Sequence, residues 1–124
     1  VNARLPKVLP LSDIELCSLL SNGLENALRA AGQITRGARW VDLYCDVRRE
    51  KLLIEIKNPY SGTVELEDGL PAARQAGHGF GCRSMASIVR QKGGLCVFRA
   101  EDGVFLLQLA LPMTPVQKTA EASG

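Results

Sequence analysis

The sequence predicts an α/β fold, a two-layer sandwich in which a mixed, mostly antiparallel sheet carries its helices on one face. The periodic segments follow the order helix, hairpin, long loop, helix, hairpin. Hairpins separated by helices pack as one sheet with the helices on one side. There are too few crossover helices to cover both faces of a parallel sheet. With 124 residues, 46% of them hydrophobic, the chain has the size of a single packed domain.

The first helix is the most strongly patterned element. Ser12 and Glu15 have the spacing of a capping box, and the helix is expected to close near Gly32. Apolar residues then recur at intervals of three and four, as in an amphipathic helix of about five turns. We expect this stripe to face the core: Ile14, Cys17, Leu20, Leu24, Ala27 and Leu28.

Two hairpins, a loop and a second helix follow. Residues 40–48 and 51–57 alternate apolar and polar around a turn at Arg49–Glu50. The Pro- and Gly-containing run from Asn58 to Gly77 has no sustained period, as in functional lids or disordered loops, and we favour a lid. A helix over roughly 80–92 ends at Gly93–Gly94, and strands 95–100 and 104–111 form a closing hairpin. The domain is thus 1–111, with 1–10 interpreted as the end of a truncated first strand and 112–124 as a frayed tail.

Composition excludes several kinds of site. The net charge is only +2, and no block of Lys and Arg indicates a nucleic-acid surface. The four cysteines, never closer than 14 residues, form no zinc motif and are expected to be reduced core thiols: Cys17, Cys45, Cys82 and Cys96. No apolar run approaches the roughly 18 residues of a membrane span.

Asn22 and Asn26 are candidate ligands for a hard cation. Their spacing of four residues places both carboxamides on one side of the first helix, which we expect to lie opposite the apolar stripe. Two amide oxygens a turn apart can hold Mg²⁺, which prefers oxygen ligands. Arg29 lies about one turn further along on the same side and could meet phosphate. Solvated asparagines on an exposed helix face are the competing interpretation.

A glycine-rich stretch precedes the second helix. Gly77, Gly79 and Gly81 alternate with His78 and Phe80. Such glycines let backbone N–H groups approach phosphates, and a helix N-terminus adds partial positive charge. No Gly-Lys-Ser/Thr follows, so this is not a Walker loop. A flexible hinge is the alternative.

Asn58 ends the second strand and precedes Pro59. Its carboxamide could read an adenine edge by accepting from the exocyclic amine and donating to a ring nitrogen. Asn-Pro is equally a routine turn opener.

Together, the order and spacing of these three stretches resemble the GHKL ATPases, a superfamily that includes DNA gyrase and histidine kinases. LLSNGLENALRA looks like their N box, and GHGFGCRSM resembles their second glycine box. More narrowly, the chain resembles the ATP-binding domain of Agr-type sensor histidine kinases in its stretches LSDIELC, KNP and HGFG before Arg83-Ser84-Met85. The similarity spans residues 9–111.

The resemblance implies the Bergerat fold and an ATP site. Asn26 matches the magnesium-binding asparagine of the family, and Asn22 matches the preceding polar position that supports metal and phosphates. Asn58 stands where most members have an adenine-reading aspartate, Arg29 is a further candidate contact, and 59–76 would be the ATP lid. The glycine box would supply the remaining ATP contacts: Gly77, His78, Gly79, Phe80, Gly81 and Cys82.

Two departures from the family pattern bear on the chemistry. The DxGxG motif is absent, because Asn58 is followed by Pro59-Tyr60-Ser61-Gly62. Asn22 stands where hydrolysing members carry a glutamate, and a neutral amide cannot act as general base on water. We therefore expect phosphoryl transfer to a nucleophile brought from elsewhere.

The expected function is that of the catalytic domain of a two-component sensor histidine kinase, which supplies Mg-ATP for phosphoryl transfer to a histidine on a separate helical domain. His78 is the single histidine, and its turn is poorly placed for in-line attack, so we expect ATP binding without autophosphorylation. The implied partners are the helical dimerisation and phosphoacceptor domain and a response regulator. The isolated domain is expected to be a monomer and to lie in the cytoplasm, with its parent protein in the membrane.

Two alternatives stay open. A degenerate GHKL domain could act as a nucleotide-sensing or docking module. An anti-sigma-factor-type serine kinase is the other, although Asn22 counts against it, since such kinases usually carry a carboxylate there.

Overall fold

The computed structural model describes residues 2–5, 8–61, 66–67, 70–71 and 79–113, with the backbone alone described at 66–67, 70–71 and 79–82. The main sheet has the order β1-β2-β3-β7-β6, in which β1 is parallel to β2 and the other pairs are antiparallel. β4 and β5 form a separate ladder. The elements are β1 (Asn2–Ala3), α1 (Asp13–Gly32), β2 (Asp42–Arg48), β3 (Lys51–Pro59), β4 (Leu66–Glu67), β5 (Leu70–Pro71), α2 (Gly79–Gln91), β6 (Leu95–Glu101) and β7 (Val104–Pro112).

One face of the sheet forms the core. Along β3 and β7 every second residue is buried, and the register places Ile54 opposite Leu109 and Ile56 opposite Leu107. Side chains of both helices, including Leu19 and Met85, pack against these residues in one cluster. The predicted two-layer sandwich with helices on one face is confirmed.

The buried stripe of α1 differs from the predicted one. The buried residues are Leu19, Gly23, Ala27 and Ala31, whereas Ile14 is 82% exposed and Leu28 is 63% exposed. Leu20 and Leu24 only flank the core. The prediction is confirmed for Ala27 and was wrong for the larger residues, because α1 packs on the core through Leu19 and through small residues that let the backbone approach closely.

Both ends of α1 form as predicted. The Glu15 amide donates to Ser12 Oγ (3.1 Å), and the Ser12 amide donates to Glu15 Oε1 (2.9 Å), which completes the capping box. The backbone bond from Ser12 lowers the pKa of Glu15 below its ordinary value. The helix ends at Gly32, where the Gln33 amide donates to Ala30 O (3.2 Å).

Strand β3 runs two residues further than the sequence indicated. It ends at Pro59, which pairs with Val104, and the Tyr60 amide donates to Gly103 O (3.1 Å). Asn58 therefore lies inside the strand opposite Phe105. The alternative that Asn58 opens a turn is wrong, because the ladder to β7 continues past it.

The remaining expectations have mixed outcomes. Residues 2–3 pair with β2 as a short strand, and β7 reaches Pro112, one residue beyond the predicted domain end.

Cys45 is buried, and burial raises the pKa of its thiol. Burial also raises the pKa of the part-buried Cys96 to about 11. Cys17 is exposed, so it is not a core thiol. The lid lies largely outside the described residues, as does the tail beyond Met113.

The two hairpin turns give a stability prediction. Arg49 and Glu50 both have positive φ (52° and 61°), as do Asp102 and Gly103 (52° and 77°) in the second hairpin. These angles suit Asn-Gly or Asp-Gly, whereas Arg and Glu pay a steric cost. We expect Arg49→Asn with Glu50→Gly to raise the free energy of unfolding by about 1 kcal/mol and Gly103→Ala to lower it by about 1 kcal/mol. Both are measured by urea denaturation, and an unchanged midpoint for the first variant would show that the turn stores no strain.

Candidate functional site

Helices α1 and α2 run antiparallel. Glu15, at the start of α1, forms an ion pair with Lys92, directly after α2 (3.2 Å). Further along, a Cβ built on Gly23 would lie 3.7 Å from Met85 Sδ. From Glu15 to Asn26 the helix axis rises about 17 Å, and from Lys92 back to Gly79 it rises about 20 Å. The N-terminus of α2 therefore lies beside the turn of α1 that carries Asn26.

α1 also runs parallel to β3. The same built Cβ of Gly23 would lie 2.6 Å from Ile56 Cδ1, in the second half of that strand. The start of α1 lies near the start of β3. Glu15 pairs with Lys92, a Cβ built on the adjacent Gly93 would lie 3.8 Å from Pro112 Cγ, and Pro112 pairs with Lys51, the first residue of β3. The Asn26 turn, the start of α2 and Asn58 are consequently gathered at one end of the sandwich.

Asn22 and Asn26 are half-buried on the side of α1 that faces α2. They follow Glu15, which contacts the end of α2, by seven and eleven residues, a spacing that keeps all three on one face. The prediction that the asparagines lie opposite the buried stripe was wrong, because that stripe is Gly23 and Ala27, immediately beside them. Asn22 Nδ2 donates to Ser18 Oγ (3.4 Å).

Arg29 is the basic residue of α1 that the sequence analysis named as a candidate phosphate contact. Its guanidinium lies 3.9 Å from Glu25 Oε1, and the side chain is 41% exposed. An exposed pair at that distance holds its partners only weakly. Arg29 as a phosphate contact stays a prediction.

Asn58 is the single buried polar residue in the described part of the chain, with 2% of its surface exposed. Its Nδ2 donates to the carbonyl oxygen of Pro59 (2.9 Å). This bond uses one of the two N–H groups of the amide, so the contacts to adenine expected from the sequence stay predictions.

The second glycine box is described from Gly79 onward. Gly79, Phe80, Gly81 and Cys82 are the first four residues of α2. The first N–H groups of a helix have no partner within it and bind anions together with the helix dipole. Gly77 and His78 lie outside the described residues, so their roles as ATP contacts stay predictions.

The donor set fits magnesium better than a softer metal. No group of three or more His, Cys, Asp or Glu residues that could hold a metal occurs in the residues described. The carboxamide oxygen of Asn26 is a hard ligand of the kind that Mg²⁺ takes when phosphate oxygens and water complete its shell.

Two residues of this region were not singled out from the sequence. Gly23 lets α1 approach Ile56, and Ser18 accepts a hydrogen bond from Asn22. The second has a recognisable signal, because Ser18 and Asn22 are four apart on a helix. Gly23 has none, since a glycine inside a helix only lowers helix propensity.

The family comparison matches this geometry. The model of the GHKL domain family matches residues 11–112, nearly the whole described chain. The chain belongs to the GHKL domain family. No curated protein matches it in sequence.

Solved structures show that this GHKL domain has the fold of histidine kinase catalytic domains. The Acinetobacter baumannii histidine kinase AdeS matches with a TM-score of 0.62 at 15% identity, over 82% of this chain and 47% of that one. A nucleotide-free catalytic domain of histidine kinase ThkA matches with 0.62 at 18% identity, over 82% and 68%. The Erythrobacter litoralis blue-light activated histidine kinase EL346 matches with 0.69 at 18%, over 94% and 35%. This chain thus spans less than half of AdeS and of EL346.

No helix of the GHKL domain, within the residues described, combines the length and apolarity needed to cross a membrane.

Proposed function

We propose that this chain binds Mg-ATP as the catalytic domain of a sensor histidine kinase, of the Agr type that its sequence resembles. One observation carries the proposal: in a GHKL domain, the start of α2, the Asn26 turn and Asn58 are gathered at one end of the sandwich. These supply phosphate, metal and base contacts, respectively, from three separate elements. The fold shared with histidine kinase catalytic domains supports the same proposal.

Each part of the site has a defined task. The amides at the start of α2 bind phosphate oxygens, where they neutralise charge that develops as the γ-phosphoryl group is transferred. Asn26 would hold Mg²⁺, which would reduce the negative charge on the phosphates. Asn22, whose Nδ2 donates to Ser18 Oγ, would position phosphate without removing a proton.

The uncharged Asn22 decides between hydrolysis and transfer. Because its amide is not a base, the site does not activate water. The nucleophile is instead an imidazole nitrogen of a histidine on the helical domain of the parent kinase. That nitrogen forms a bond to the γ-phosphorus as the bond from this phosphorus to the ADP oxygen breaks. The phosphohistidine then donates its phosphoryl group to a response regulator. We place the domain in the cytoplasm, with the parent protein in the membrane.

The alternative is a degenerate GHKL domain that docks on a partner and binds nucleotide weakly. The neutral Asn58 favours this reading, since the family usually has a carboxylate at the position.

Calorimetric titration separates the two. The kinase proposal expects the folded chain to bind ATP with micromolar-to-millimolar affinity only when Mg²⁺ is present. It also expects no acid-labile phosphate on the isolated chain after incubation with labelled ATP, and labelling of a histidine when the helical domain of the parent protein is added. Absence of ATP binding by a folded chain would favour the docking module.

A further inference from the structure

The connector between α1 and β2 forms an apolar pocket at the end of the sandwich where the site is gathered. Residues 40–41 directly precede Asp42, the first residue of β2, which pairs with Lys57 next to Asn58. Together with the end of α1 they enclose a cavity of about 310 Å³, lined by Leu28, Ala31, Gly32, Arg39, Trp40 and Val41. This volume is at the lower end for ligand pockets and gives room for one or two side chains.

The segment around this pocket is basic. Residues 26–41 contain three arginines, Arg29, Arg36 and Arg39, and no aspartate or glutamate. Arg39 Nε donates to Ile34 O (2.9 Å), which closes the connector into a loop and holds the guanidinium beside the cavity. Among the residues described, no carboxylate pairs with Arg39. Its terminal N–H groups are therefore available to a carboxylate from another chain.

The pocket lies on the side of α1 that faces away from α2. Leu28 follows Asn26 by two residues, which places it about 200° further round the helix. The two side chains are thus separated by one helix diameter, roughly 10–12 Å. A partner docked against Leu28 leaves the α2-facing side of α1 open, and it still lies close enough to bring a side chain to the phosphates.

We propose that this pocket docks the helical domain of the parent kinase. This inference rests on the proposed function. One helix of that domain inserts an apolar side chain of the size of Leu or Phe between Leu28 and Trp40, and a carboxylate within one turn of it pairs with Arg39. Leu28 and Trp40 are 63% and 36% exposed, and the removal of their apolar surface from water drives the docking.

Charge and shape disfavour two other occupants. A second copy of the chain that met this surface across a two-fold axis would place the basic segment against itself, where like charges repel. An anionic membrane would attract the arginines, but apolar residues that insert into lipid protrude, whereas these line a concavity. An acidic amphipathic helix fits both the charge and the shape.

Trp40 reports on docking directly, because it is the single tryptophan of the chain. The full chain is titrated with the helical domain of the parent kinase in the presence of Mg-ATP. We expect the emission of Trp40 to shift to shorter wavelength as its ring leaves water. Trp40→Phe provides the blank for emission from the added domain. Histidine labelling is followed in the same mixtures as a function of the concentration of helical domain.

Three variants make the test specific. Trp40→Ala is expected to raise the KM for the helical domain about tenfold, as for a buried aromatic anchor, with kcat and Mg-ATP affinity within about threefold of the natural chain. Arg39→Glu is expected to raise the same KM, and by less at high salt. Ile14→Ala removes an apolar side chain that is 82% exposed at the other end of α1 and should change none of these values. Circular dichroism checks that the variants are folded; if Trp40→Ala is not, the emission of the natural chain decides alone.

The outcomes are separable. Histidine labelling without a shift in Trp40 emission, or an unchanged KM in folded Trp40→Ala, would overturn the inference and leave the proposed function standing. A shift with vesicles of anionic lipid but not with the helical domain would also overturn it, as would a dimer in sedimentation that Trp40→Ala abolishes. Absence of Mg-ATP binding by the folded chain would reject the proposed function, while the emission of Trp40 would still decide where the helical domain docks.

Discussion

Replacement of Asn26 by alanine is expected to weaken Mg²⁺-dependent ATP binding by roughly 30-fold, the cost of losing one contact to a charged group. Asn26 is half-buried on the side of α1 that faces α2, at the height of the α2 N-terminus. Removing its oxygen leaves the metal held by phosphate and water alone. Alanine is the better helix former, and circular dichroism checks that the variant is folded. Calorimetry with and without Mg²⁺ measures the effect.

Two further variants make this test specific. Asn26→Asp retains an oxygen ligand, so magnesium dependence should persist in it. Ser21→Ala changes an exposed residue of the same helix outside the α2-facing side and should leave affinity unchanged. If Asn26→Ala binds Mg-ATP as tightly as the natural chain does, the metal lies elsewhere and the assignment of Asn26 is wrong.

Gly23→Val is expected to lower the free energy of unfolding by about 3 kcal/mol, at the upper end for overpacking. A Cβ at this position would already lie 2.6 Å from Ile56 Cδ1 and 3.1 Å from Leu107 Cδ2. A branched side chain fits there only if the Ile56 and Leu107 side chains rotate away or α1 moves away from the sheet. A movement of α1 would displace the neighbouring Asn22 and Asn26, so weaker ATP binding in the folded fraction would indicate that the helix has moved, whereas unchanged binding would indicate that the side chains rotate. Urea denaturation and calorimetry measure the two effects.

A double-mutant cycle tests the stated contact. Ile56→Val removes only the Cδ1 atom and should cost about 1 kcal/mol by leaving a small cavity. Gly23→Ala fills that space and removes a helical glycine, so within the Ile56→Val background it should restore about 1 kcal/mol. In the natural background the same change gains less, because Ile56 must move. Additive effects in the two backgrounds would show that Gly23 and Ile56 are not in contact.

Local signals predicted most of the architecture. Ser12 and Glu15 cap α1, Gly93 follows α2 with a φ of 75°, and Asp102–Gly103 closes the second hairpin, each as its residue types indicate. Alternation found the strands because a sheet with one buried face imposes a period of two. The same reasoning placed Asn22 and Asn26 on α1 and the described part of the glycine box, from Gly79, at the start of α2, whereas β3 extends past Asn58.

Local signals did not predict which face of α1 packs against the sheet. The sequence indicated which residues of α1 are apolar, but it did not indicate which of them are buried. The structure buries Leu19, Gly23, Ala27 and Ala31 and leaves Ile14 and Leu28 exposed to solvent. Close approach of a helix to a sheet rewards small side chains, and a hydrophobic pattern gives these little weight. The sequence also provided no indication that the Asn58 amide donates to the carbonyl oxygen of Pro59, because a carboxamide has both donor and acceptor groups and many possible partners.

The sequence by itself determined the order of elements, their caps and turns, and the identity of the polar groups available to a nucleotide, because these depend on short-range periodicity and on residue chemistry. Only the tertiary structure decided that α1 runs antiparallel to α2 and parallel to β3, which gathers Asn26, the start of α2 and Asn58 at one end. It also decided that Asn58 is buried within β3 and that its Nδ2 donates to the carbonyl oxygen of Pro59. Both depend on contacts between residues far apart in the chain or on one buried rotamer, and neither leaves a periodic trace in the sequence.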